Sequence, residues 1–302
     1  MPVLSQLHGV PAPAKLNLFL HVVGRRDDGY HLLQSAFMLL DWWDRLHFDL
    51  REDGQLRRID LTEPLPENDL CLKAARLLKS ESQARWGATI QVEKNLPSQA
   101  GMGGGSSDAA STLLALNRLW GLHWPLSRLL PLGLQLGADV PFFLGGRPAF
   151  VEGIGERLTP VKLPMSDWVV LKPPAGLETA RIFQDPGLKR DTSPATIADF
   201  AARPYAFGRN DLQAVASRLC PPVDQALHWL TQHGLQPKMT GSGSAVFAQL
   251  PSSVRLPAPP DGWLLRRCRN LEIHPLAGWV SCDVEGVGLK NRVPVKGSRQ
   301  VG

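Results

Sequence analysis

The chain is short of the features that announce several common kinds of protein. Its four cysteines, Cys71, Cys220, Cys268 and Cys282, include no C-x-x-C pair. Scattered in this way they exclude a disulfide framework and a zinc site of the usual spacing, and they suit a reducing compartment. The eight histidines contain no H-E-x-x-H and no tight cluster. No apolar run approaches the roughly 20 residues that cross a bilayer. The opening MPVLSQLHGVPAPAK lacks a basic stretch followed by an apolar core, so no signal peptide is expected and the location reads as cytoplasmic. Positive charge exceeds negative by only 5. The nearest approach to a basic cluster, Arg266, Arg267 and Arg269, reads as solvated strand-edge arginines soon answered by Glu272. A nucleic-acid surface needs a longer stripe with interleaved aromatics, so neither nucleic acid nor membrane is an expected partner. A mild positive balance suits an anionic substrate.

What is present is an ordinary globular composition, 43% hydrophobic and 20% charged, over 302 residues. That length is comfortable for two domains. One stretch, LPSQAGMGGGSSDAASTLLALNRLW at 96–120, carries the strongest chemical signal. Gly101, Gly103, Gly104 and Gly105 leave the loop free of side chains. Ser106, Ser107 and Asp108 are residue types that open helices, and Ala109, Leu113, Leu116 and Trp120 then share one helical face, with Gly121 as the expected C-cap. The preceding ATIQV alternates like a strand. Strand, glycine loop and helix start together make a phosphate site, because unpaired N–H groups converge there and the helix dipole favours anions. Two familiar loops fail on residues that do chemistry. A Walker loop needs lysine where Ser106 follows Gly105, and a dinucleotide fingerprint needs a third glycine at Ser106.

Residues 10–24 read as a strand, with Ala14, Leu16, Leu18 and Leu20 on one face and Lys15, Asn17, Phe19 and His21 on the other. Lys15 is the one charge in that segment. It is either an edge-strand lysine or a cation held towards a cleft beside Asn17. The Asp27-Asp28-Gly29 turn delivers Tyr30 and His31 to a second strand, as packing or as a stacking platform for a base. Residues 45–51 read as a further strand and REDGQLRR as a hairpin turn. Glu67, Asn68 and Asp69 cap an amphipathic helix with Leu70, Ala74, Leu77 and Leu78 inward, and 126–136 is a second helical run.

In LGADVPFFLGG, Asp139 is the sole charge between Arg128 and Arg147. Pro141 pushes Val140 out of the helical region, which places Asp139 at a helix exit or tight turn. It either caps something or does work. A nearby Lys15 would keep it ionised, as suits a group that orients or deprotonates a hydroxyl. The pattern restarts around 159–163, where a domain boundary is expected, followed by the buried strand WVVLK. Beyond it come a polar substrate-side segment at 189–203, two helices in FGRNDLQAVASRL and VDQALHWLTQHG, and a strand–turn–strand in QPKMTGSGSAVFAQL. The turn at Thr240, Gly241, Ser242 and Gly243 is a simple hairpin or a second approach to phosphate. GWLLRRCRN is a last strand, and 286–302 reads as a frayed tail.

The stretches PAKLNLFLHVVGRRDDGYHLLQS, LPSQAGMGGGSSDAASTLLALN and LGADVPFFLGG, supported by NDLCLKAARLL, IFQDPGL and MTGSGSAVF, resemble the GHMP kinase superfamily in order from about 11 to 274. The resemblance implies an α+β fold of two domains, with a mixed sheet and helices at 1–162, a ferredoxin-like α/β domain at 163–285, and the active site in the cleft between them. It implies an ATP-dependent kinase acting, with Mg²⁺, on a hydroxyl of a small molecule. D-G-Y-H points within the superfamily to a cytidyl diphosphate acceptor of non-mevalonate isoprenoid synthesis, against a homoserine or mevalonate type or a non-catalytic nucleotide-binding module. Asp139 would then be the catalytic carboxylate and Lys15 its electrostatic support, with Asn17 reaching the same region. Pro97, Ser98, Gly101, Gly103, Gly104, Gly105, Ser106 and Ser107 would hold ATP, a serine hydroxyl lying near the metal, with no dedicated protein metal site. Tyr30 would stack on cytosine, His31 would bond its edge, Phe183 would stack opposite and Thr179 would lie close by. The resemblance implies a monomer or weak homodimer. One departure concerns the nucleotide: an amide expected near it falls on Asp69, and a carboxylate accepts hydrogen bonds without donating them.

Overall fold

The computed structural model describes residues 4–281, so the tail at 286–302 and Cys282 lie outside the described residues. Two long strands, β1 (Gln6–Arg25) and β2 (His31–Arg51), pair antiparallel along their whole length. Residues 12–22 of β1 are buried on both faces, so the strand lies inside the molecule. Residues 45–51 are the end of β2 and not a separate strand. Asp44 lies inside the strand, immediately before that segment. Here it is fully buried and accepts hydrogen bonds from the N–H groups of Asn95 and Leu96.

The opposite edge of β2 is shared in turn by β5 (Ala149–Glu152), β10 (Leu264–Leu271) and β4 (Gly87–Glu93). The short β3 (Leu56–Asp60) pairs parallel with β4, so REDGQLRR is a crossing connection and not a hairpin. β6 (Arg157–Pro160) pairs with β5. β10 also pairs with β7 (Asp167–Lys172), which continues through β9 (Val246–Gln249) to β8 (Lys238–Met239). Because β10 bonds to both β2 and β7, the two halves share one sheet. β10 meets β2 only at Asn270 and Leu271, so Arg266, Arg267 and Arg269, paired to β7 on one side alone, are exposed residues at a free edge.

On one face lie α1 (Leu70–Ser82), α2 (Gly104–Leu119), α3 (Leu126–Leu136) and α4 (Val140–Gly145). α1 buries Cys71, Leu72, Ala74, Ala75 and Leu78, while Leu70 and Leu77 are half-buried at its margin. α2 is buried nearly all round, as expected of a helix enclosed by others, and it forms a rigid pedestal for the loop at its start. The second half carries α5 (Thr179–Gln184), α7 (Gln213–Leu219) and α8 (Pro221–Gln232) around a separate apolar cluster, while α6 (Ile197–Ala202) packs Phe200 against Phe19 and Phe150. Cys71, Cys220 and Cys268 are free and buried, and among the described residues no helix is long and apolar enough to cross a membrane.

Candidate active site

A cleft of about 530 Å³ runs between the glycine loop, β1 and the turn after β8. One wall is the start of α2. The helix begins at Gly104, earlier than the serines suggest, and Gly103 is its N-cap in the left-handed region with no side-chain cap. Ser106, Ser107 and Asp108 therefore lie inside the helix and do not open it. The first intrahelical bond runs from Ser107 N–H to the Gly103 carbonyl, at 2.9 Å. The N–H groups of Gly104, Gly105 and Ser106 consequently lack helical acceptors at the cleft. Pro97, Ser98, Gly101, Gly103, Gly104 and Gly105 line it, whereas Ser106 and Ser107 do not. Ser107 is fully buried, so its hydroxyl is out of reach of the cleft.

Lys15 and Asp139 meet across this wall. Lys15 is 4% exposed, and its Nζ lies 3.4 Å from Asp139 Oδ2, 2.5 Å from the Asn17 Oδ1 it donates to, and 4.5 Å from the centre of the Phe37 ring. An edge lysine would be solvated; this one is held in place. Asp139 occupies the N-cap position of α4, in the short junction after α3, with Pro141 in the first turn. The tight turn expected at Asp139 is present, but Val140 is helical, since proline is tolerated in a first turn. The Asp139 side chain makes no capping bond and faces Lys15 and the cleft. Asn17 is braced by its Nδ2 donating to Ser35 Oγ and by its N–H donating to Thr240 Oγ1, both at 3.0 Å. A bulge between Asn17 and Leu20 separates this pair from Phe19 and His21.

The two glycine turns touch. A Cβ on Gly101 would sit 2.2 Å from the Thr240 carbonyl, and one on Gly241 would sit 2.7 Å from the Gly101 carbonyl; both residues have positive φ. Only glycine permits that approach. Gly241, Ser242 and Gly243 line the cleft, Thr240 is buried behind them, and Ser242 shares a 2.7 Å hydrogen bond with Thr179.

Phe183, Leu33 and Ile154 lead from the cleft into an apolar annex of about 430 Å³ that Tyr30 and His31 complete. The His31 ring packs directly on Phe183, with centroids 4.9 Å apart, and Tyr30 is 60% exposed.

Two groups of residues escaped the sequence. Beneath the loop, Lys94 is ion-paired with both Asp44 and Asp108, at 2.6 Å from Asp108 Oδ2. Burial works against the Lys94 ammonium, but the two carboxylates outweigh it and raise its pKa. Burial pushes the Asp108 carboxyl up to about 7. The signal available was Lys94 itself, a charge directly before the loop. Beside the annex, Arg190 donates to His31 Nε2 at 3.0 Å, and nothing in a polar stretch marked it out. Asp69 caps α1 through both oxygens and pairs with Arg58 at 2.7 Å, so its carboxylate is occupied although it borders the cleft.

Comparison with known proteins places this geometry. Residues 69–147 match the GHMP kinases N terminal domain and residues 192–254 the GHMP kinases C terminal domain. A 4-diphosphocytidyl-2-C-methyl-D-erythritol kinase of Albidiferax ferrireducens is 60% identical over 285 residues, 94% of this chain and 99% of the relative. A crystal structure of 4-(cytidine 5'-diphospho)-2C-methyl-D-erythritol kinase superposes with a TM-score of 0.70 at 36% identity, over 81% of this chain and 89% of that one. A homoserine kinase from Cytophaga hutchinsonii, at 14% identity, shares the fold with a TM-score of 0.64 over 91% of this chain and 97% of that one.

Proposed function

This chain belongs to the 4-diphosphocytidyl-2-C-methyl-D-erythritol kinase family, and from that membership we propose that it transfers the terminal phosphoryl group of ATP to the 2-hydroxyl of 4-diphosphocytidyl-2-C-methyl-D-erythritol. The observation that carries the reading is the Lys15–Asp139 pair, set 3.4 Å apart on the cleft beside an uncapped helix start. Asp139 orients the acceptor hydroxyl and takes its proton. Lys15, buried and anchored to Asn17, keeps that carboxylate ionised and offsets charge on the phosphoryl group in flight. The N–H groups of residues 104–106 donate to the phosphates of ATP, and the helix dipole adds to their pull. Ser242, close to Thr179, approaches the acceptor side.

Among the described residues no cluster of His, Cys, Asp or Glu could hold a metal. A hard cation such as Mg²⁺ takes oxygen ligands; Glu63, Asp69, Asp108 and Asp139 line the cleft without clustering, so Mg²⁺ would be carried on the nucleotide. Bound there, it neutralises phosphate charge. Tyr30, His31 and Phe183 receive the cytosine in the annex. The division of the chain near residue 163 then leaves the phosphate loop in the first half, while the cytosine site draws on both, with Tyr30 and His31 before it and Phe183 after it. Release of ADP, measured across acceptors with and without the diphosphocytidyl group, tests the reading. Turnover only of the diphosphocytidyl acceptor is expected. Equal or better turnover of homoserine or mevalonate would overturn it.

A further inference from the structure

Behind the His31 ring, on the side away from the annex, a hollow of about 330 Å³ is bounded by Arg25, Gln184 and Arg190. Arg190 is anchored there by the backbone. Its Nη2 donates to the carbonyls of Phe183 and Asp185, both at 2.9 Å, and its Nη1 donates to that of Leu188 at 3.0 Å. Those three bonds aim its Nε at His31 Nε2, 3.0 Å away, while Phe183 packs on the face of the ring. A guanidinium has five donors, no acceptor, and keeps its proton in proteins. Nε2 of His31 must therefore accept, and the one proton of the neutral ring sits on Nδ1. Nδ1 has no hydrogen-bond partner among the described residues. Burial, followed by the charges of Arg190 and Arg25, holds the imidazole below its usual range and keeps it neutral.

We propose that Arg190 is a positioning residue that locks His31 in its Nδ1–H tautomer and so sets the pyrimidine specificity of the site. The proposal rests on the kinase reading above. A fixed Nδ1–H donor set against N3 matches cytosine, whose N3 accepts, and opposes uracil, whose N3–H also donates; O2 accepts in both bases and does not discriminate. Two donors facing each other leave both unsatisfied, a penalty of about 10–100-fold in discrimination.

The test has two arms. ¹⁵N NMR of the wild-type protein, with the His31 signals assigned by their loss in His31→Gln, should show a protonated Nδ1 and a bare Nε2. The opposite tautomer, or an exchanging mixture, overturns the proposal without recourse to any Arg190 variant. In the second arm, kcat/KM is measured for the diphosphocytidyl acceptor and its diphosphouridyl analogue. Wild type and Arg190→Lys, which is also donor-only, should favour the cytidyl acceptor by about 10–100-fold, and Arg190→Met should lose most of that preference. If Arg190→Met lowers both acceptors equally and leaves their ratio intact, Arg190 merely holds the loop and the proposal is wrong. Failure of the wild type to turn over either acceptor would instead sink the kinase reading and the specificity built on it, while the tautomer stays readable on the protein alone.

Discussion

The two ends of the cleft, which the proposed function assigns to phosphate and to base, are built on opposite plans. At the phosphate end, Lys15, Asn17 and Thr240 are almost wholly buried, and each is held by partners from distant parts of the chain. At the base end, Tyr30 is exposed on a turn, and Phe183 sits on a helix of only 6 residues. Charge that develops during phosphoryl transfer is stabilised only by groups already in place, so the reacting end is rigid and closed. A base is gripped by broad stacking surfaces, which tolerate exposure and small shifts. Changes at the first end should therefore reach the rate, and changes at the second should reach acceptor affinity.

The largest effect should come from Asp139→Ala. Turnover is expected to fall by about a thousandfold, within the range for a lost acid–base group, with ATP affinity nearly intact by titration. Near-normal turnover would remove Asp139 from the chemistry and erase the contrast between the ends. Next comes Gly101→Ala, in which a methyl group meets the Thr240 carbonyl at 2.2 Å on a backbone of positive φ. Thermal melts should report a loss of about 2–4 kcal/mol. Gly121→Ala, with positive φ but open space around it, isolates the conformational cost at about 1 kcal/mol. Equal losses in the two variants would mean that the contact between the turns contributes nothing.

A pH experiment probes the support under the phosphate end. His274 N–H donates to the carbonyl of Gly146, the residue closing α4, and burial pushes the His274 imidazole down to about 4. Its pKa is lower folded than unfolded, so the unfolded chain takes up the proton first as pH falls. Its contribution is complete above the ordinary value of 6.5 and is lost towards pH 4, to the extent of up to about 3 kcal/mol. Urea melts of wild type and His274→Gln between pH 8 and pH 4 should differ in slope across that window; parallel curves would refute the assignment. The smallest effect belongs to the base end. Tyr30→Ala should raise KM for the cytidyl acceptor by about tenfold, one stacking contact, with little change in kcat. A collapse of ATP affinity instead would mean that the ends have been assigned the wrong way round.

Local patterns were legible. The helix at 126–136 appears as its spacing predicts, and the strand at 88–92 differs only by one residue at each end. Patterns that depend on the environment were not. Residues 45–51 read as a strand of their own, although β2 runs on through Asp44, which Lys94 and two backbone N–H groups hold inside it. Asp108 looked like a helix cap, although it lies beyond the first turn as half of a buried ion pair. Asp139 does lie in the tight turn after α3, but Val140, expected to be non-helical before Pro141, opens α4, because a proline in the first turn of a helix is tolerated. Arg190 could not have been picked out, since its role is defined by His31, far away in the chain.

By itself the sequence determined that a glycine loop leads into a helix, that Lys15 and Asp139 are lone charges in apolar settings, and that Tyr30 and His31 follow a turn. These are properties of neighbours along the chain, where backbone freedom and side-chain period act over a few residues. Tertiary structure alone decided that Lys15 faces Asp139, that Gly101 packs on Gly241, and that Arg190 holds His31. Such pairings depend on strand register and on how distant segments close against one another, and no stretch of sequence records that closure.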